Sequence, residues 1–101
     1  MADAPRKDEV RLVVSYDVSE DRRRRRLAAR LVGRLERVQY SVFEGTVRRA
    51  TIHEILTLAA KEIDPSTDSV RAYPLCARCR ELIEVLGTGL LLDDEDEDLV
   101  V

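Results

Sequence analysis

The sequence predicts an α+β fold in which two helices cover one face of an antiparallel sheet. Three observations lead there. Segments with the period-2 alternation of strands and segments with the 3.6-residue period of helices follow in the order β, α, β, β, α, β, with one more candidate strand after them. The chain has 101 residues, 45% of them hydrophobic, enough for one two-layer core and too little for two domains. Aromatics amount to only 4%, so that core is aliphatic.

Residues 1–9 lack apolar periodicity and read as a flexible leader ahead of a domain spanning 10–87. The first strand is expected at about 10–17. Alternation puts Leu12, Val14 and Tyr16 on one face and Val13, Ser15 and Asp17 on the other. Both faces carry apolar side chains. Helices can cover one, and in so small a chain a second copy is the natural cover for the other. That arrangement places Asp17 at or near a subunit boundary.

Ser19, Glu20 and Asp21 mark a helix entry, with Ser19 or Asp21 as the cap and the acids placed against the positive end of the helix dipole. The spacing predicts a helix over about 21–35, with Leu27, Ala28, Leu31, Val32 and Leu35 as its apolar stripe. Five consecutive arginines cannot share a face. Arg22 and Arg26 point outward together, Arg23 and Arg25 flank them, and Arg24 falls on the stripe, leaning over the sheet end near Asp17.

Residues 36–47 are rich in β-formers and too long for one strand, so they are read as two short strands meeting near Gln39 to Ser41. Thr51 and Glu54 have the spacing of a capping box for a second helix. Its face is Ile52, Ile55, Leu56, Ala59 and Ile63, and it is expected to run to Asp64-Pro65. After loop residues Ser66, Thr67 and Asp68 comes a strand over 69–75, with Pro74 suited to a sheet edge. Leu82 to Leu86 is expected to form an extra C-terminal strand, and residues 88–101 read as an acidic, disordered tail. The element order is that of a ferredoxin-like βαββαβ sandwich.

Charge is unevenly distributed. The net value is −3, yet Asp93 to Asp98 is an unbroken run of six acids, and without it the remainder is +3. The basic residues concentrate at Arg22 to Arg26, Arg30, Arg34 and Arg37. Neither an export signal nor a membrane-length apolar run is visible, so a cytoplasmic location with reduced thiols is expected and no membrane partner.

Asp17, at a strand tip beside an arginine-laden helix, suits a divalent cation held next to phosphates. Mg²⁺ or Mn²⁺ prefers hard oxygen ligands and retains water, so one carboxylate from each of two subunits, completed by water and phosphate, suffices to hold one ion across a twofold axis. The plain alternative is that Asp17 only ends its strand and supports the helix entry. For Arg22, Arg23, Arg25 and Arg26 the readings are phosphate contact with counterion release, or a solvated helix face. Ser15, Tyr16 and Ser41 are candidates to position phosphate, with Arg24 beside them. Cys76-Ala77-Arg78-Cys79 lacks the further ligands of a zinc site and reads as two partly buried thiols. His53 reads as a surface residue, which leaves no obvious general base.

Tyr16-Asp17-Val18, the arginine-rich helix start, Glu36 to Gly45 and Asp68 to Cys76 together resemble the small CRISPR-associated "Cas-two" proteins, over about residues 10–87. The resemblance implies a ferredoxin-like homodimer that acts in spacer acquisition beside the Cas-one integrase. It also implies metal-dependent endonuclease activity on single-stranded RNA or double-stranded DNA, with Asp17 as the catalytic, metal-binding position. In such dimers the last strand crosses to the partner's sheet, which is the role implied for Leu82 to Leu86. The alternative within the resemblance is a non-catalytic DNA-binding scaffold that bridges integrase units. An unrelated regulatory dimer binding a small ligand has less support, because no glycine-rich anion loop is present.

Overall fold

The computed structural model describes residues 8–87. Their order is β1 (Glu9–Asp17), α1 (Asp21–Val32), β2 (Glu36–Gln39), β3 (Val42–Arg48), α2 (Arg49–Ala60), β4 (Ser69–Leu75) and α3 (Ala77–Glu81). The sheet runs β2-β3-β1-β4 with every pairing antiparallel. This is the interleaved strand order of a ferredoxin-like sandwich. The expected tail, 88–101, and residues 1–7 of the leader expected over 1–9 lie outside the described residues, whereas Glu9 already belongs to β1 and the Asp8 carbonyl accepts from Arg49 N–H at 2.8 Å.

The core follows the alternation of β1. Val10, Leu12, Val14 and Tyr16 are buried against Leu27, Ala28 and Leu31 of α1, Ile55 and Ala59 of α2, and Phe43 and Val47 of β3. Burying each such aliphatic side chain contributes roughly 1.5–3 kcal/mol. Tyr16 and Phe43 stack at 6.2 Å between centroids. Both long helices lie on this side, leaving the Val13, Ser15 and Asp17 face of the sheet without a helical layer.

The helix boundaries differ from expectation for physical reasons. Glu20, rather than Ser19 or Asp21, caps α1, its carboxylate accepting from Arg23 N–H at 3.2 Å. Ser19 is unavailable because its N–H and hydroxyl both donate to Asp68, while Asp21 is taken by Arg24 and Arg25. The helix stops at Val32, short of the expected residue 35. Arg34 and Leu35 N–H both turn back to Leu31 O, so Leu35 drops into the core from the turn and Val32 stays exposed.

The capping box expected at Thr51 and Glu54 is not used. β3 runs straight into α2, whose N-cap is Arg48 with no side-chain cap, and Asp8 O satisfies the Arg49 donor instead. α2 ends at Ala60, well before Pro65, through tight bonds from Lys61 N–H to Leu58 O and Glu62 N–H to Ala59 O. Arg30 Nε then ties α1 to Glu62 at 2.9 Å.

The two short strands meet at Tyr40 and Ser41, as their composition implied, and β4 is an edge strand that accommodates Pro74 opposite Leu12. Leu82 to Leu86 forms no strand in the single chain. The five-residue α3 precedes it, and Leu82 and Leu86 are 69% and 96% exposed. A strand needs a partner edge, and β4's free edge is not taken up by this segment. No helix among the described residues is long and apolar enough to cross a membrane.

Candidate metal and nucleic-acid site

Asp17 is the last residue of β1, set opposite Ser69 of β4. It is exposed on the uncovered sheet face, and its carboxylate makes no hydrogen bond or ion pair to any described residue. Ser15 lies two residues back on the same face, half-buried between Val42 and Arg71. Among the described residues no group of three or more His, Cys, Asp or Glu side chains converges. One chain thus brings a single carboxylate to this strand tip, one hard oxygen ligand of the kind Mg²⁺ or Mn²⁺ takes and not a closed metal site.

A polar knot behind Asp17 fixes where the strand tip lies, and it is centred on Asp68. This buried carboxylate accepts from Ser19 N–H at 3.1 Å and Ser19 Oγ at 3.2 Å, from Arg23 Nε at 2.8 Å, from Asp64 N–H at 2.8 Å and from Thr67 Oγ1 at 3.0 Å. The Arg23 guanidinium, together with the Asp64 and Ser19 N–H groups and the Thr67 hydroxyl, holds the Asp68 carboxyl well below the usual carboxylate range. One side chain thereby joins the exit of β1, the start of α1 and the start of β4. Asp68 read as an ordinary loop residue in the sequence. The available signal was its place immediately before a strand, after an Asp-Pro-Ser-Thr turn in which Ser66 already satisfies Asp64.

The arginines have divided duties. Arg23 is spent on Asp68 and Glu20. Arg24 leans over the strand exit, donating to Val18 O at 2.8 Å and to Asp21 at 2.6 Å, while its buried Nε has no partner. Arg25 pairs with Asp21. Arg22 and Arg26, one turn apart on the outer face of α1, are exposed and make no ion pair with a described residue. The free cationic surface expected of four arginines thus narrows to these two, with Arg25 at the margin.

Tyr16, a candidate to position phosphate, lies in the core instead, because it sits on the helix-facing side of β1. Its hydroxyl donates to Tyr40 O at 3.3 Å, and its N–H donates to Ser41 O at 3.1 Å. Tyr16 and Ser41 therefore clamp the β2–β3 turn against the end of β1.

That turn also carries Arg37 and Tyr40, whose pairing was not anticipated from the sequence. Arg37 donates to Tyr40 O at 3.0 and 2.7 Å and stacks over the Tyr40 ring at 5.3 Å. With Arg24, Arg25, Ala28 and Val32 they line a groove of about 470 Å³. An exposed tyrosine three residues from an arginine was the legible hint. His53 is exposed on α2, as expected. Cys76 and Cys79 are exposed rather than partly buried, because they sit past the end of the edge strand.

Comparison with known proteins bears on the whole domain. Residues 10–83 match the family model described as CRISPR associated protein Cas2. The chain is 40% identical over 85 residues to CRISPR-associated endoribonuclease Cas2 2 of Synechocystis, covering 83% of this chain and 91% of that one. It is 37% identical over 78 residues to CRISPR-associated endonuclease Cas2 2 of Thermus thermophilus, covering 77% and 82%. The crystal structure of Streptococcus pyogenes Cas2 superposes with a TM-score of 0.66 at 35% identity, covering 76% of this chain and 99% of that one. The chain belongs to the Cas2 family of CRISPR-associated proteins.

Proposed function

We propose that two copies of this chain pair through the uncovered sheet face and act on nucleic acid in CRISPR spacer acquisition, beside the Cas-one integrase, with metal-dependent endonuclease activity centred on Asp17. The observation that carries this reading is the exposed, unpartnered Asp17 carboxylate at the tip of the central strand, at the end of the sheet where α1 begins. Its relatives bear the names endoribonuclease and endonuclease, which supports phosphodiester hydrolysis as the reaction and leaves both single-stranded RNA and double-stranded DNA as substrates.

In this reading Asp17 of each copy is the protein ligand to Mg²⁺ or Mn²⁺. The bound ion would neutralise phosphate charge and lower the pKa of a coordinated water. The chain's own residues do the rest. Arg22 and Arg26 bind the phosphate backbone without reading bases. Arg24 caps the Val18 carbonyl, and the Asp68 knot holds the strand tip so that Asp17 need not reorganise. Ser15 lies on the same face within reach of a phosphate laid along it.

A second reading is a non-catalytic scaffold dimer that bridges integrase units on DNA, favoured by the single carboxylate each chain brings to the face. One comparison separates the two. Asp17→Ala is assayed for Mg²⁺-dependent cleavage of RNA and DNA and, separately, for spacer integration with the partner. Cleavage is expected to fall by at least about 100-fold. Cleavage that survives the substitution overturns the role of Asp17, and integration that survives loss of cleavage assigns the scaffold reading to integration.

A further inference from the structure

Two features have no part in the Asp17 site. One is the groove of about 470 Å³ between α1 and the β2–β3 turn. The other is the run Asp93-Asp94-Glu95-Asp96-Glu97-Asp98, flanked in the sequence by Leu90-Leu91-Leu92 and Leu99-Val100-Val101.

The groove carries more positive charge than its own residues answer. Arg24, Arg25 and Arg37 line it against one carboxylate, Asp21, which Arg24 and Arg25 share. Arg37 makes no ion pair with a described residue; its guanidinium donates to Tyr40 O and lies over the Tyr40 and Phe43 rings. Arg24 Nε is buried with no hydrogen-bond partner among the described residues, and a buried donor left in that state costs about 1–3 kcal/mol. The apolar part of the lining includes Ala28 and Val32 of α1 and Tyr40 of the turn. Val32 and Tyr40 are 59% and 67% exposed, although the helical period puts Val32 on the side that packs.

We propose that the acidic run of the same chain docks in this groove, its carboxylates answering Arg24 and Arg37 while its flanking apolar residues cover Val32 and Tyr40. Charge complementarity is the first support. Six successive carboxylates repel one another, and guanidinium groups take carboxylates in a bidentate, charge-assisted geometry. The apolar lining is the second. A phosphate backbone would also answer the arginines, but it brings no aliphatic group to Val32, whereas this segment carries leucines on both sides of its charges.

The length of the chain allows it. The groove lies at the Tyr16 end of β1, since the Tyr16 hydroxyl donates to Tyr40 O, whereas β4 ends at Leu75, opposite Arg11. Five residues along β1 amount to roughly 17 Å, and the three strand spacings from β4 to β2 to roughly 14 Å. Gly87 to Asp98 is a step of eleven residues, with an extended reach of roughly 36–40 Å. One copy's own tail therefore spans the distance. Docking also sets negative charge beside Arg25, next to Arg22 and Arg26 on α1. On the proposed reading that those two hold phosphate, a docked tail lowers nucleic-acid affinity at low salt, where charges about 10 Å apart still act on one another.

The test compares the full, ¹⁵N-labelled chain at low salt with a tail-neutral variant combining Asp93→Asn, Asp94→Asn, Glu95→Gln, Asp96→Asn, Glu97→Gln and Asp98→Asn. Neutralisation should move the Nε–H signals of Arg24 and Arg37 and the amides of Ala28, Val32 and Tyr40, while those of Leu12 and Val14 in the core stay in place. Raising salt to about 0.5 M should move the wild-type groove signals the same way, because it screens the pairing. Val32→Glu, at an exposed position, keeps the acids and should release them, shifting the Asp93 to Asp98 amides toward their positions in the wild-type chain at high salt. Duplex affinity of the tail-neutral variant should rise about tenfold. Groove signals that move without a rise in duplex affinity support docking and count against Arg22 and Arg26 as phosphate contacts. Groove signals identical in the two chains overturn docking, as does a shift that grows in only with protein concentration, which assigns the tail to a second copy.

Discussion

Asp68 accepts six hydrogen bonds drawn from three segments, two of them from Arg23, and such a buried, fully satisfied carboxylate is worth more than its separate contacts. Replacing it with Asn removes the charge that Arg23 answers, leaving a half-buried guanidinium with only the longer contacts to Glu20 and Ser19 Oγ. Tm should fall by roughly 10 °C. The acid limb gives a second readout. Its folded pKa lies below the unfolded value of about 4, so the stabilisation is complete above that value and is lost as pH falls through the lower folded pKa. The gap between wild type and Asp68→Asn, measured by urea titration, should be widest at neutral pH and close below about pH 4. A constant gap across that range would show that the charge is not what stabilises the junction. Asp17 was legible in the sequence because a strand tip announces itself locally. Asp68 was not, because Ser19 and Arg23 lie 49 and 45 positions away and only the fold brings them to it.

At the scale of elements, α1 is a helix whose arginines are sorted by the sheet it packs on. The 3.6 periodicity sufficed to separate Arg24 from Arg22 and Arg26, but not to see that Arg23 and Arg25 would be neutralised by Asp68 and Asp21. Arg22→Glu with Arg26→Glu should therefore weaken duplex binding and lower the slope of log affinity against log salt by about 1.8, the loss of two phosphate contacts. Arg25→Glu alone should change the slope by less than either single member of that pair. Filter binding across a salt series decides it, and an unchanged slope for the double variant removes α1 from the interface. The β2–β3 hairpin is similarly constrained. A Cβ on Gly45 would meet Leu35 Cδ2 at 2.8 Å, where α1 hands over to β2. Gly45→Ala should cost about 1–2 kcal/mol in urea unfolding without affecting nucleic-acid binding. The topology could be read from the order of elements, and both hairpin strands from a β-former-rich run too long for one strand. Helix ends could not, since Glu20 and Asp8 act as caps only because tertiary bonds have already engaged Ser19 and replaced the Thr51 box.

At the scale of the molecule, both long helices cover one side of the sheet, and the other presents Val13, Val42 and Tyr73 among Ser15, Asp17, Glu44, Ser69 and Arg71. An antiparallel sheet can face water on one side, but such faces are normally polar. Here Val13 and Val42 are half-buried, and Tyr73 is 46% exposed among them. Pairing of two copies through this face would remove those side chains from water and bring the two Asp17 tips toward one axis, so a variant that cannot pair should also lose metal binding. Val13→Arg places two like charges near the axis without touching the core, which Leu12 and Val14 supply from the opposite face. Dimer association, followed by sedimentation equilibrium, should weaken by about 30-fold or more, the cost of losing one central contact of roughly 2 kcal/mol. Mg²⁺-dependent cleavage should fall with it, and raising the protein concentration until the variant pairs should restore it. Asp17→Ala behaves in the opposite way, remaining dimeric at every concentration while inactive. A wild-type chain that sediments as a monomer at concentrations where it cleaves would place the whole activity within one copy and dissolve the coupling between the sheet face and the strand tip.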